Sequence, residues 1–220
     1  MNTNTSPASF EHIPNDSFRT PLYMDDYIVV INKPPGLLSV PGRVIKDSCV
    51  SRLSERYGEI LVIHRLDQDT SGILVFARDK VSLNTVQRQF EAQTTRKVYE
   101  AVVKGEINAS HGCVNLPIIV DWPNRPLQMI SHTDGRYALT RWKNLGLESG
   151  NTRVELHPKT GRSHQLRIHM QQIGHPIVGD TLYAGVGAEL EPRLCLHARE
   201  LDIDHPHTGE RMEFVLPAEF

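Results

Sequence analysis

Runs of hydrophobic residues predict most of the strands in this chain. Residues 28–31 (IVVI) form a short strand that ends at a Pro-Pro-Gly turn, and residues 72–79 (GILVFARD) are apolar and β-branched enough to be a buried strand. Residues 97–107 and 152–158 alternate hydrophobic and polar side chains, which is typical of strands with one exposed face. Residues 193–206 predict one more strand late in the chain.

Two other segments have the spacing of helices. Residues 80–93 carry apolar side chains at near-helical intervals and predict one helix. Residues 163–173 predict a second, compact helix, with Ser163 as its N-cap and Gly174 beyond its end. Short helices among many strands predict an α+β fold with a mixed, mostly antiparallel β-sheet.

The first twenty residues differ from the rest of the chain in composition. Residues 1–20 are rich in Asn, Thr, Ser and Pro, so we expect a flexible N-terminal arm. No linker or repeat divides the remainder, and residues 21–220 are therefore predicted to form one catalytic domain.

Composition excludes some classes of protein and leaves others open. With 24 Lys and Arg against 26 Asp and Glu, the net charge is −2, so a nucleic acid would have to be held by a local basic face. The three cysteines are far apart and odd in number, which fits a reducing compartment. No apolar run is long enough for a membrane span and no signal peptide is visible, so we expect a cytoplasmic protein without a membrane partner.

The stretch IHRLDQDTSG at 63–72 crowds His64, Arg65, Asp67 and Asp69 between apolar runs. The two carboxylates could form a glycosidase-like pair, with the neighbouring cations keeping one of them ionised as a nucleophile. They could equally belong to a charged surface turn, and the residues of this stretch alone favour that interpretation.

A second polar segment, KTGRSHQLRIH at 159–169, surrounds the start of the second predicted helix. Lys159, Arg162 and Arg167 could bind an anion there, or Arg167 could pair with a buried carboxylate; a basic surface turn is the alternative. Its histidines do not have the i, i+4 spacing of a metal site, so we expect no bound metal.

Six motifs in order resemble those of the pseudouridine synthases of the RluA type. They are NKPPG, HRLDQDTSG, KVYEAVVKG, KTGRSHQLRIHM, GHPIVGDTLY and LCLHARELDIDHP. The resemblance spans residues 21–220 and implies the fold of that family, a mixed sheet with flanking helices and loops around a central cleft. Many members carry an N-terminal S4-type RNA-binding domain, which we do not expect here. The resemblance is strongest to the family's dual-specificity member.

The resemblance also implies roles for individual residues. Three residues are assigned to catalysis: Asp67 matches the catalytic aspartate, Arg167 the arginine paired with it, and Tyr99 the tyrosine that packs on the uracil and could take part in proton transfer. Further residues are assigned to substrate binding: Arg65, which would help to displace the target uridine, His64, Leu196 as an apolar wall of the uracil pocket, Arg162 and Lys33. Asp69 receives no chemical role. Thr70-Ser71-Gly72 is expected to form the turn that presents the catalytic residues.

The implied reaction is the isomerisation of uridine to pseudouridine, which needs no cofactor because nothing is oxidised, hydrolysed or transferred. Asp67 could attack the ribose, assist elimination or add to the uracil ring, and the sequence does not choose among these routes. The expected partners are structured RNAs, a large-subunit rRNA hairpin and the tRNA anticodon stem-loop, bound by a monomer. A non-catalytic RNA-binding or ribosome-assembly protein of the same fold is the alternative.

Overall fold

Four helices and twelve strands make up the part of the chain that the computed structural model describes, residues 16–187 and 191–220. The helices are α1 (Asp16–Arg19), α2 (Cys49–Tyr57), α3 (Lys80–Glu91) and α4 (Gln165–Gln172). The strands are β1 (Tyr23–Met24), β2 (Ile28–Lys33), β3 (Leu61–Val62), β4 (Ser71–Ala77), β5 (Arg96–Val103), β6 (His111–Asn115), β7 (Ile118–Val120), β8 (Gln128–Ile130), β9 (Leu139–Glu148), β10 (Asn151–Pro158), β11 (Leu196–Asp204) and β12 (Arg211–Val215).

Ten of these strands form one sheet, with the order β1-β2-β4-β11-β5-β10-β9-β6. Strand β12 pairs with β11 and β3 with β4, while β7 and β8 form a separate hairpin. Strands β4 and β11 run parallel, and every other pair among the described strands is antiparallel. The predicted α+β fold with a mixed, mostly antiparallel sheet is therefore confirmed.

The hydrophobic core lies on both faces of the sheet around β2 and β4. All seven residues of β4 are buried, as its uninterrupted apolar sequence predicted. In β2, Val29 and Ile31 pack in a cluster that includes Leu53 of α2, while Ile28 and Val30 pack in one that includes Val86 of α3. The period-2 alternation of a strand thus sends neighbouring residues to different helices.

The structure confirms α3 and the presence of a short helix at α4, but the predicted start of α4 is wrong. Asp79 caps α3 by accepting hydrogen bonds from the backbone N–H groups of Val81 and Ser82. At α4 the N-cap is His164, not Ser163, and its backbone is left-handed with φ 53°. The side chain of Gln165 supports this start by accepting the backbone N–H of Arg162 at 3.0 Å.

The packed part of the chain extends upstream of the predicted start at Pro21. Phe18 in α1 is only 2% exposed and belongs to the cluster on the α2 face of the sheet. Residues 1–15 of the predicted arm lie outside the described residues. Within the described ranges, none of the helices has the length and hydropathy needed to cross a membrane.

Candidate active site

A cleft of about 100 Å³ opens at the centre of the sheet, where four segments of the chain meet. These segments are the connection between β3 and β4, strand β5, the loop that leads from β10 into α4, and the start of β11. Six of the eight site residues predicted from the sequence line it: Arg65, Asp67, Tyr99, Arg162, Arg167 and Leu196. The cleft is therefore the candidate active site.

The turn that carries Asp67 is fixed by hydrogen bonds to its backbone and by the side chain of Gln68, which donates to the carbonyl of Gly36 at 3.0 Å. The N–H of Thr70 donates to the carbonyl of Asp67 at 3.2 Å, which closes the turn over residues 67–70. The ammonium of Lys33 donates to the carbonyl of Gln68 at 2.7 Å, and Ser39 exchanges hydrogen bonds with the backbone of Leu66. These contacts hold the turn to the end of β2 and the loop after it.

The prediction that residues 70–72 form this turn is wrong in part, because Ser71 and Gly72 already belong to β4. Gly72 pairs with Ala198 of β11. Its φ is +112°, and a Cβ atom there would lie 2.3 Å from the carbonyl oxygen of Ala198. A glycine is thus required where the two parallel strands approach each other.

Arg167 joins Asp67 to a second, fully buried carboxylate. Its Nε and Nη2 donate to the two oxygens of Asp180 at 2.8 and 2.6 Å, the bidentate geometry of a strong ion pair. Its remaining nitrogen, Nη1, lies 3.9 Å from Oδ2 of Asp67. The predicted pairing of Arg167 with Asp67 is present as this longer contact, while Asp180 takes the hydrogen bonds.

Burial and the neighbouring carboxylates shift the pKa values of Arg167 and Tyr99 in the cleft. Burial alone would lower the pKa of Arg167, but the hydrogen bond and charge of Asp180, together with the charges of Asp67 and Asp69, raise it. Burial raises the pKa of Tyr99, and the charge of Asp67 raises it further. The cleft therefore contains a permanent cation and a phenol that keeps its proton at neutral pH.

Tyr99 and Leu196 form the apolar side of the cleft. Leu196 is 3% exposed, and Tyr99 packs against the hydrophobic clusters on both sides of it. Arg65 and Arg162 also line the cleft, and their side chains are exposed to solvent. Arg162 is oriented by a hydrogen bond from its Nε to the carbonyl of Tyr137 at 3.1 Å.

The comparisons with known proteins agree with this geometry. The model of the RNA pseudouridylate synthase family matches residues 27–172, a segment that contains Asp67, Tyr99 and Arg167. The chain belongs to this family. It is 46% identical to the dual-specificity RNA pseudouridine synthase RluA of Haemophilus influenzae over 94% of this chain and 96% of that protein.

Other relatives of this RNA pseudouridylate synthase family lead to the same assignment. The dual-specificity RNA pseudouridine synthase RluA of Pasteurella multocida is 48% identical, again over 94% of this chain and 96% of that protein. The solved structure of human RNA pseudouridylate synthase domain containing 1 superposes with a TM-score of 0.78 at 28% identity, covering 98% of this chain and 87% of that one. The RluA-type RNA pseudouridine synthase predicted from six motifs, an isomerase, is confirmed.

Two residues predicted to bind substrate in this family member lie outside the cleft. His64 stacks on Phe90 of α3, with ring centroids 4.7 Å apart, and accepts the backbone N–H of Val75. Burial lowers its pKa to about 3, so it is neutral. The chain is extended here, so neighbouring side chains point to opposite sides, and His64 faces α3 while Arg65 faces the cleft.

Lys33 likewise does not line the cleft, and it is fully buried beneath the Asp67 turn. Its ammonium donates to the carbonyls of Pro34 and Gln68 at 2.8 and 2.7 Å. Burial lowers its pKa to about 8, although the charges of nearby groups including Asp69 and Asp67 oppose this. Lys33 therefore positions the turn that presents Asp67.

Sequence reasoning missed Asp180, Tyr183 and the contact that links them to the cleft. Tyr183 accepts the backbone N–H of Gln128 at 2.9 Å, and its hydroxyl lies 2.8 Å from Nδ1 of His164, a lining residue. The guanidinium of Arg167 lies 5.4 Å from the centre of the Tyr183 ring. The motif GHPIVGDTLY, which contains both missed residues, was the available signal.

Four histidines that lie within twenty residues of one another, positions 157 to 175, have separate protein partners. His157 contacts Glu155, His164 contacts Tyr183, His169 lies between Thr140 and the carbonyl of Leu116, and His175 contacts the carbonyl of Lys104. Their hydrogen bonds orient the loops and α4 around the cleft.

Proposed function

We propose that this protein isomerises uridine to pseudouridine in two structured RNAs, a hairpin of large-subunit rRNA and the anticodon stem-loop of tRNA. The dual specificity named for its relatives from Haemophilus influenzae and Pasteurella multocida supports both targets. As part of the same proposal the protein acts as a monomer in the cytoplasm. The free thiols of Cys49, Cys113 and Cys195 are consistent with that reducing compartment.

Asp67 is the proposed nucleophile, and its contact with Arg167 is the observation that carries the proposal. A carboxylate that is 29% exposed, at the edge of a cleft and 3.9 Å from a buried guanidinium, can reach a substrate while the cation orients it. Because Asp180 holds Arg167 from the other side, Asp67 retains free lone pairs. Attack on the ribose, assisted elimination and addition to the ring all use this arrangement.

Tyr99 and Leu196 are proposed to hold the detached uracil while it turns from its N1 bond to its C5 bond. A ring held between a phenol and an aliphatic wall can rotate in its own plane, since neither contact is directional. With its raised pKa, Tyr99 would serve as a packing surface and hydrogen-bond donor, not as a base at neutral pH.

Arg65 and Arg162 are proposed to contact the RNA outside the uracil pocket. The target base must leave its stack before its C5 edge can face the ribose, and unstacking costs a few kcal/mol. Arg65 is exposed, two residues from Asp67, and its planar guanidinium can fill the vacated stacking position. Arg162 at the solvent side of the cleft is suited to a backbone phosphate.

The Asp67→Asn variant tests the nucleophile. It keeps the shape of the side chain and removes its charge, so we expect RNA affinity within about threefold of wild type and no pseudouridine in either RNA. Pseudouridine is mapped by chemical labelling of the anticodon stem-loop, of the rRNA hairpin, and of total RNA from cells with and without the gene. Product formation by Asp67→Asn would contradict the role of Asp67, and loss of labelling at only one RNA would contradict dual specificity.

A further inference from the structure

A second cavity, of about 290 Å³, lies directly beside the active-site cleft. Lys97 and Pro158 line both cavities, so the two are neighbours. Its basic lining residues are Arg96, Lys97, His157 and Lys159, and none of its lining residues, all in the described part of the chain, is acidic. A hydrated anionic group fits, since one liquid water occupies about 30 Å³.

The positive charges of this cavity are unequally neutralised. Arg96 is paired with Glu200 at 2.7 Å, and His157 with Glu155 at 2.8 Å. Lys97 and Lys159 form no ion pair with any carboxylate in residues 16–187 or 191–220. Two unpaired ammonium groups beside an empty space are an attractive site for an anion.

The surroundings of the Lys97 ammonium favour the binding of an anion. Its ammonium lies 5.8 Å from the centre of the Phe90 ring, and its side chain is half-buried. Burial and the like charge of Lys159 both lower the pKa of Lys97. Keeping the ammonium charged there costs free energy, and a neighbouring anion would offset that cost. The Thr95 hydroxyl, on another lining residue, is buried without a hydrogen-bond partner.

The position of Lys97 along its strand suggests the source of the anion. It precedes Tyr99 by two residues on β5, so both side chains are on the same face, roughly 7 Å apart along the strand. A nucleotide whose base enters the cleft beside Tyr99 keeps its phosphates in the RNA backbone at the mouth of the cleft. One of these phosphates would reach the second cavity without further distortion of the RNA.

We propose that the second cavity binds one backbone phosphate next to the target uridine, through the ammonium groups of Lys97 and Lys159. This inference rests on the proposed function and adds a phosphate subsite to it. The contact would hold the flipped-out nucleotide by its backbone, leaving the uracil free to turn between Tyr99 and Leu196.

The first test is kinetic and uses the full chain with a synthetic anticodon stem-loop RNA. Lys97→Met and Lys159→Met keep the apolar stems and remove the charges. We expect each variant to raise KM roughly tenfold, the usual loss for one charged hydrogen bond, and to leave kcat within about twofold of wild type. Lys97→Arg, which keeps the charge, should restore the wild-type KM. The slope of log Kd against log salt should fall by about 0.7 in the double variant, the value for one phosphate of a single strand.

Lys80→Met is the matched control, because it removes the same charge from an exposed lysine. Lys80 begins α3, roughly 15 Å along that helix from Phe90, and lines neither cavity. It should leave KM and the salt slope unchanged. Equal effects of Lys80→Met and Lys97→Met would mean that only net charge matters, which overturns the subsite.

The second test identifies the phosphate. Single phosphates flanking the target are replaced by uncharged methylphosphonates on 2′-O-methyl nucleotides, with the 2′-O-methyl phosphodiester RNA as reference. At one position the replacement should weaken wild-type binding about tenfold and the Lys97→Met/Lys159→Met variant hardly at all. Equal losses for both proteins at every position would overturn the inference while pseudouridine is still formed. Absence of pseudouridine with wild-type protein would instead contradict the proposed function.

Discussion

The ion pair between Arg167 and Asp180 makes the sharpest prediction about the stability of the site. Both side chains are buried, at 3% and 0% exposure, and two hydrogen bonds join them. Oδ1 of Asp180 also accepts the backbone N–H groups of Leu182 and Tyr183 at 3.0 and 3.1 Å. The variant Asp180→Asn keeps an oxygen for these contacts but leaves the guanidinium without its buried counter-charge.

The expected loss follows from the fate of that guanidinium. Removing one partner of a buried ion pair destabilises a protein by roughly 3–5 kcal/mol, because the other charge stays buried and uncompensated. Asp67 lies 3.9 Å from Arg167 and can compensate in part, so we expect about 3 kcal/mol. For a chain of this size each kcal/mol lowers Tm by about 2–4 °C, which gives a fall of roughly 6–12 °C. Urea denaturation and thermal unfolding measure both quantities.

The same substitution should also lower activity, since Arg167 would move toward Asp67 and occupy the lone pairs that the substrate needs. Asp204→Asn is the matched control: it removes one carboxylate from the exposed pair with Arg211, whose atoms are 3.0 Å apart. That pair should contribute only about 0–1 kcal/mol. If Asp180→Asn lost no more stability than Asp204→Asn and kept wild-type single-turnover rates, Asp180 would not be the residue that holds Arg167.

Three further predictions concern the surroundings of the cleft. Since burial lowers the pKa of His64 to about 3 from an ordinary 6.5, only the unfolded chain gains this proton between those pH values, and stability falls as pH drops. His64→Leu should therefore remove about 2 kcal/mol of the stability difference between pH 7.5 and 5 in urea titrations; an unchanged difference would mean that His64 is accessible to protons. Tyr183→Phe should cost about 1 kcal/mol, because the N–H of Gln128 loses its acceptor, and should slow single-turnover isomerisation; wild-type values for both would remove Tyr183 from the site. Gly72→Ala should lower Tm far more than Gly146→Ala. The backbone angle φ is positive at both positions, but only Gly72 has backbone atoms within 3 Å of the new Cβ. Equal falls in Tm would show that backbone strain, and not the close contact, causes the loss of stability.

The elements that the sequence predicted best are those whose pattern is local. Strand β4 and helix α3 were predicted within two residues at each end, since an unbroken apolar run and a regular apolar spacing each depend on a single segment. The start of α4 was not predicted, because His164 adopts a left-handed backbone and its side chain bonds Tyr183, nineteen residues away in the sequence. Local capping preferences carry no information about such a partner.

The site residues also differ in how far a local sequence pattern reveals their partners. Asp67, Tyr99 and Arg167 were identified through motifs whose spacing is specific, and the structure brings all three to one cleft. Lys33 was assigned to substrate binding because it lies in one of those motifs, yet its partners are two backbone carbonyls. Every residue offers a carbonyl, so no pattern of side chains can reveal that contact. Asp180 was missed because nothing in the sequence of its turn says which cation it faces.

The parallel pairing of β4 and β11 explains why residues so distant in the sequence form one site. Ser71 and Gly72 at the start of β4 lie opposite His197 and Ala198, so Leu196 is brought beside the turn that ends at Thr70. Strand β5, on the other side of β11, brings Tyr99 opposite Ala198. The turn that carries Asp67 thus leads directly into the most buried strand of the sheet. Such a rigid support suits a reaction in which a fixed carboxylate must stay aligned while only the uracil turns.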